Sequence, residues 1–249
     1  MIYVCIPTRD EATTLGPLLW KVRRVFGALE RDFHLIVFDD ASSDDTDEVL
    51  TRYEGTLPLT VIRSDDRVGY GTAVDRLLRA AVDHSDYPKR DAALVLQADF
   101  TDDLDAIEEQ VKTLEGGADI VAGAVREWTP ATTPKGVAWA RRLAPWVLGP
   151  ALRTAPADPL TGFRAYRLIV IDKALRGDDG PIAESDEPWV ANLETLHRLA
   201  PNARRIEEVD VRMRYERHAR ESRFRAPRAL KALFAFRDRR WPTDSGGDA

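Results

Sequence analysis

Short apolar runs alternate with amphipathic stretches through the first half of the chain. Ile2 to Ile6 (IYVCI) is the first run, and after it Leu15, Leu18, Leu19, Val22, Val25, Phe26 and Leu29 recur at the three-and-four spacing of one helix face. Phe33 to Phe38 predicts a second strand, followed by a short helix starting near Asp45. Leu59 to Ile62 and Ala92 to Leu96 predict further strands, separated by a helix over Thr72 to Val82; a helix over Leu104 to Leu114 precedes the last run, Asp119 to Gly123. Such alternation implies a single Rossmann-like α/β domain with a mainly parallel sheet and helices on both faces. The second half is less regular. Val137 to Arg153 predicts a helix broken at Pro145 and Pro150, Trp189 to Ala200 predicts another helix, and Val209, Val211, Met213 and Tyr215 alternate with polar neighbours as in a half-buried strand.

In parallel sheets of this kind ligands lie beyond the carboxyl ends of the strands. Asp39 and Asp40 fall just past the second strand, so position alone makes them ligand candidates. Ser42, Ser43 and Asp44 are residues that cap the following helix, so Asp44 and Asp45 need no role beyond structure. Polar residues also follow the first strand (PTRDE, Pro7 to Glu11), the third (RVGYGTA, Arg67 to Ala73) and the fourth (LQADFTDD, Leu96 to Asp103). GYGTAV begins like a dinucleotide fingerprint, but Val74 stands where the third glycine belongs and the first strand runs into PTRDE, which argues against a nicotinamide enzyme.

Composition changes this picture in two places. A formal net charge of −6 argues against a nucleic-acid partner, yet from Arg223 to Trp241 seven basic residues face one acid, Asp238. Within that basic tail Leu230, Leu233, Phe234 and Trp241 fall on one side of a helix, so residues 225–241 are expected as a basic amphipathic helix, able to rest on an anionic membrane or to pack on protein. Residues 1–224 form the main domain in this reading and 242–249 a disordered end. No apolar run approaches the ~20 residues of a membrane span, and Met1 leads straight into the first strand without a secretory leader; the expectation is a cytoplasmic protein, with peripheral contact at the inner face of the membrane through the tail. The lone Cys5 lies within an apolar run and reads as a buried thiol.

Taken in order, PTRDE, DDASSDDT, RVGYGTA, LQADFTDD, DPLTGFRAYR (Asp158 to Arg167) and YERHARESRF (Tyr215 to Phe224) resemble the family 2 glycosyltransferases of GT-A fold, most closely the dolichol-phosphate or polyprenol-phosphate mannose synthase group. The resemblance implies that Pro7, Thr8, Glu11, Asp39 and Asp40 hold the nucleoside of a nucleotide-sugar donor, with Gly69, Gly71, Gln97 and Ala98 beside it. Arg9 and Asp10 depart from the family's PTYNE. It implies a Mg²⁺ or Mn²⁺ ion held by Gln97 and Asp99, with Asp102 or Asp103 assisting. Gln97 replaces the first aspartate of the family's Asp-Ala-Asp and brings no charge to the ion. Arg126 matches the arginine of a family GSR segment and reads as an anion-binding residue, while Arg141 with Arg142 falls where the family holds its acceptor phosphate, a task that arginine's planar fork suits. Asp158, Gly162, Phe163 and Arg164 match the acceptor wall. Arg217, Ser222 and Arg223 match the clamp on the donor diphosphate, with Arg220 unexplained.

The activity implied is inverting transfer of a hexose to a polyprenyl phosphate, with GDP-mannose the favoured donor and UDP-glucose or UDP-N-acetylhexosamine open. A phosphate acceptor is already anionic near neutrality and needs no base; a hydroxyl acceptor would need one, with Asp158, Asp186 or Glu187 as candidates. A nucleotide-sugar-binding protein without turnover is the third alternative, motivated by Gln97. Oligomeric state is left open.

Overall fold

A computed structural model of the chain describes residues 1–125, 133, 135–148, 158–212 and 226–237. Strands β1 (Ile2–Thr8), β2 (Phe33–Asp40), β3 (Leu59–Ser64) and β4 (Ala92–Val95) are parallel and lie in the order β3-β2-β1-β4. β5 (Ile120–Ala124) and β7 (Ile206–Asp210) pair in parallel, and β6 (Arg164–Arg167) runs antiparallel between β4 and β5. Antiparallel pairing sets Arg164, the first residue of β6, opposite Val95, the last of β4. The chain leading into β6 therefore arrives at the carboxyl ends of β1, β2 and β4.

Side chains alternate across the sheet. Val4, Ile6, Leu35, Val37 and Leu94 face one side, where α1 (Ala12–Leu29), α2 (Thr46–Glu54) and α4 (Ile107–Glu115) cover them with Leu15, Leu18, Phe26, Leu50 and Val111. Tyr3, Cys5, Ile36, Phe38 and Val95 face the other side, beneath Leu77 and Leu78 of α3 (Tyr70–Asp83) and Ile171 of α6 (Leu168–Gly177). Cys5 is fully buried and burial pushes its thiol far up, so it is not a nucleophile. A third cluster joins α5 (Lys135–Leu148), α7 (Pro188–Leu199) and α8 (Ala226–Arg237) through Val137, Ala140, Trp189, Leu193, Leu233 and Phe236.

Three expectations need correction. The helix is not broken at Pro145: α5 continues to Leu148, because a proline in a last turn forfeits one backbone bond and leaves the rest of the helix intact. The half-buried strand begins at Ile206, earlier than the alternation suggested. β6 and α6 were not anticipated at all. Pro150, Met213, Tyr215 and residues 238–249, including Trp241, lie outside the described residues. Among the described residues no helix is long and apolar enough to cross a membrane.

Candidate functional site

The loops after β1 and β2 are bonded to each other. Ser43 donates to Asp10 from its N–H (2.8 Å) and its hydroxyl (3.0 Å), and the Asp10 N–H donates to Ser42 Oγ at 2.9 Å. Asp44 accepts the Thr46 N–H at the start of α2 and the Ala12 N–H at the start of α1, both at 3.1 Å, while Thr46 Oγ1 accepts the Glu11 N–H at 2.9 Å. Asp44 thus takes up the first N–H of its helix, but the N-cap position is Asp45, which makes no side-chain cap bond, and Ser42 and Ser43 bond to Asp39 and Asp10. These bonds take up one free N–H at each of two helix N-termini and fix where the nearby carboxylates sit.

Asp39, paired in register with Thr8, accepts from the Ser42 N–H and hydroxyl. Glu11 is buried and accepts from the Thr14 hydroxyl at 2.7 Å. The Thr8 hydroxyl, 4% exposed, has no hydrogen-bond partner among the described residues. A buried hydroxyl left unpaired costs about 1–3 kcal/mol unless something else accepts or donates to it. Thr8, Glu11 and Asp39 together form a polar floor at the ends of β1 and β2.

Asp40 is used differently. Its two oxygens accept the N–H groups of Val68 (2.6 Å) and Gly69 (3.0 Å), so it holds the loop into α3. The glycines of that loop serve packing: a Cβ on Gly71 would lie 2.6–2.8 Å from backbone atoms of Glu184 and Ser185, and Gly69, at φ +91°, is against Asp186. Segment 184–187 is itself held from several directions. Glu194 of α7 accepts the Glu184 and Ser185 N–H groups at 3.0 and 2.9 Å. Asp186 is paired with Arg67 at 2.7 Å and with Arg228 of α8 at 2.8 Å. Far from a solvated loop, this acidic segment ties α3, α7 and α8 together.

At the end of β4 the chain turns sharply, with Phe100 at φ +63°. Asp99 is half-buried and accepts the Thr101 N–H at 3.0 Å; Gln97 is half-buried, and Ala98 is buried beside it. Asp102 accepts the Gln97 N–H at 2.7 Å, and burial outweighs that bond, pushing its carboxyl up to about 7. Among the described residues no group of three or more His, Cys, Asp and Glu side chains is arranged to hold a metal. One half-buried carboxylate and one amide fit an ion held at a single carboxylate and completed by a ligand's phosphate oxygens, rather than an all-protein cage.

The 158–163 loop, which leads into β6, lies next. Asp158 is buried, ion-paired with Arg141 of α5, and accepts the Leu160 N–H at 3.1 Å. The Arg141 guanidinium also lies 5.4 Å from the centre of the Trp189 ring. Arg164 is 0% exposed and donates to the carbonyls of Pro159 and Asn192. Its role in this structure is to tie the loop to α7, out of reach of solvent. Phe163 is likewise sealed in, and Gly162 meets Tyr70 and Asn192 so closely that a Cβ would fall 2.8 Å from the Tyr70 hydroxyl. Arg142 is exposed on α5. Arg126, Arg217, Arg220, Ser222 and Arg223 lie outside the described residues; Pro7 is in β1 opposite Phe38.

Tyr70, Asn192 and Glu194 were missed as positioning residues. Asn192 had a signal: it stands at helical spacing between Trp189 and Leu196 on an apolar face, where a polar residue needs a buried partner. It finds one, donating to the Leu160 carbonyl at 2.8 Å.

A sequence model described as glycosyl transferase family 2 matches residues 3–172. A dolichol-phosphate mannosyltransferase of Pyrococcus furiosus is 27% identical over 180 residues, 69% of this chain and 47% of the relative, so the chain spans about half the length of that protein. Among solved structures, the chain is similar to glucosyl-3-phosphoglycerate synthase of Mycobacterium tuberculosis, solved with Mn²⁺, UDP-glucose and phosphoglyceric acid (TM-score 0.61, 20% identity, 95% of this chain and 79% of that one). It is also similar to S. aureus TarS solved with UDP (TM-score 0.57, 16% identity, 84% and 57%). The matched segment carries β1 to β6 with their polar ends, and the chain belongs to glycosyl transferase family 2.

Proposed function

We propose that this glycosyltransferase moves a hexose, with mannose favoured, from a nucleotide-sugar donor to a polyprenyl phosphate by inverting displacement. The observation that carries the choice of acceptor is that the three candidate bases are each paired with arginine: Asp158 with Arg141, Asp186 with Arg67 and Arg228, and Glu187 with Arg228 at 3.7 Å. A hydroxyl acceptor would need one of them as a base, whereas a phosphate acceptor, anionic at neutral pH, needs cations and alignment. The distant likeness to a dolichol-phosphate mannosyltransferase supports the same reading.

In this mechanism Thr8, Glu11 and Asp39 receive the nucleoside, carboxylates accepting from ribose or base donors. Asp40, Gly69 and Gly71 act one step back, by fixing the loop into α3. Asp99, with Gln97, would hold a divalent ion, which supplies charge neutralisation for the departing nucleoside diphosphate. Arg141, fixed by Asp158 and Trp189, aligns the acceptor phosphate together with Arg126 and Arg142, while Arg217, Ser222 and Arg223 clamp the donor. Arg164 shapes the acceptor wall without touching it. The soluble-acceptor reading is kept alive by the fold likeness to glucosyl-3-phosphoglycerate synthase, which spans 95% of this chain.

Labelled-sugar transfer from GDP-mannose, UDP-glucose and UDP-N-acetylglucosamine, offered with either a short polyprenyl phosphate or 3-phosphoglycerate, tests the proposal. Product on the polyprenyl phosphate, abolished by chelator and lowered at least about 100-fold in Asp99→Ala, is expected. Product on phosphoglycerate alone would overturn the acceptor, and donor binding without product would leave a binding protein.

A further inference from the structure

α5 and α8 share one inward cluster with α7, formed on their side by Val137, Ala140, Ala144, Ala229, Leu233 and Phe236. With those residues turned inward, helical geometry dictates what the opposite faces carry. On α5, positions 135, 139, 142 and 146 repeat at steps of four, three and four and so form one line along the helix. They hold Lys135, Trp139, Arg142 and Trp146, and all four are exposed, Trp139 by 55% and Trp146 by 77%. On neighbouring α8 the exposed positions include Lys231 and Phe234. Neither helix contains an acidic residue, on a chain whose net charge is −6.

Large aromatic side chains left in solvent beside cations call for a partner that takes both. Indole rings settle at the headgroup level of a bilayer, and lysine and arginine beside them meet anionic headgroups. A second copy of the chain fits less well, because a two-fold interface would set this cationic patch against itself. We propose that the outer face of α5 and α8, carrying Lys135, Trp139, Trp146, Phe234 and Lys231, is a docking surface for an anionic lipid bilayer. The proposal differs from a free amphipathic tail lying on the membrane: the apolar side of α8 is spent on α5 and α7, and two tryptophans of α5 supply the contact. It stands independently of the acceptor proposed above. If both hold, α5 links them, since Arg141 pairs with Asp158 within the protein while Trp139 and Trp146 meet the lipid about one helix diameter, ~10 Å, away.

The test is flotation of the full chain with vesicles of phosphatidylcholine alone or mixed with phosphatidylglycerol, read together with tryptophan emission. Binding to the phosphatidylglycerol vesicles only, with a blue shift and release by salt, is expected. Trp139→Ala with Trp146→Ala should lower partitioning by about ten-fold or more per indole, and Lys135→Glu with Lys231→Glu by at least about five-fold per site. These side chains are exposed, so thermal unfolding should stay unchanged, and transfer to a water-soluble short-chain acceptor without vesicles should persist. Failure of the unaltered chain to float with anionic vesicles at low salt would overturn the surface, as would flotation unaffected by the tryptophan changes. A dimer in sedimentation velocity that the tryptophan changes dissolve, with no vesicle binding, would assign the face to a second copy instead. Vesicle binding in a chain that transfers no sugar would sink the proposed reaction and leave this surface standing.

Discussion

Asp40 accepts one buried and one part-buried amide, and replacing it with alanine leaves both without that acceptor. Asp40→Ala should therefore destabilise the fold by about 1–3 kcal/mol per amide, seen as a lower urea midpoint, with donor affinity falling as a consequence of the displaced α3 loop. Thr8→Val should behave in the opposite way. Valine removes the unpaired hydroxyl while keeping its shape, so stability without ligand should hold or rise, while nucleotide binding, measured by titration, should weaken. A third residue reports on pH. His34 is half-buried 5.8 Å from the His84 ring; burial first, and His84 second, lower its pKa. The unfolded chain then takes up a proton near the ordinary value of about 6.5, before the folded chain does. Stability is fully present above that value and falls as pH drops below it. His34→Gln, which can still reach Thr60, should narrow the gap between melting temperatures at about pH 7.5 and about pH 5.5; an unchanged gap would place the acid sensitivity elsewhere.

Elements were legible where one face is apolar and the other wet. The α1 periodicity and the β1, β2 and β4 runs translate directly into buried positions, and strand ends pointed to Asp39 and Asp99. β6 escaped because its first residue, Arg164, is charged yet completely buried, and pattern reading takes charge for exposure. The glycines at 69 and 71 were visible as glycines; that they receive segment 184–187, more than a hundred residues away, depends on tertiary contact that local sequence does not carry. Similarly, local sequence did not show that the acids at 184–187 are held in place, because their partners Arg67, Arg228 and α7 are distant in sequence. The α8 stripe was legible only in part: Leu233 is buried as its spacing suggested, but Phe234, read onto the same side, is exposed and Phe236 is buried instead. Leu233 is completely buried where α8 meets α5 and α7, so Leu233→Ala should cost about 2–5 kcal/mol locally. Hydrogen exchange should show α8 losing protection while β1 and β2 keep theirs; uniform loss across the molecule would mean that α8 is part of the global cooperative unit.

At the scale of the molecule, the sheet is assembled out of chain order. Residues 2–95 make a contiguous block, β3-β2-β1-β4, but the neighbour of β4 is β6 rather than β5. During synthesis the growing chain cannot finish the sheet when β5 emerges from the ribosome; β4 waits until residue 167 has been made. Through that interval Ala92–Val95, a strand of four buried apolar residues, keeps one edge unpaired, the condition that invites strand addition between molecules. Chains interrupted shortly before Arg164 should consequently aggregate, and a nascent chain of this protein has most need of a chaperone over those last seventy or so residues between β4 and β6.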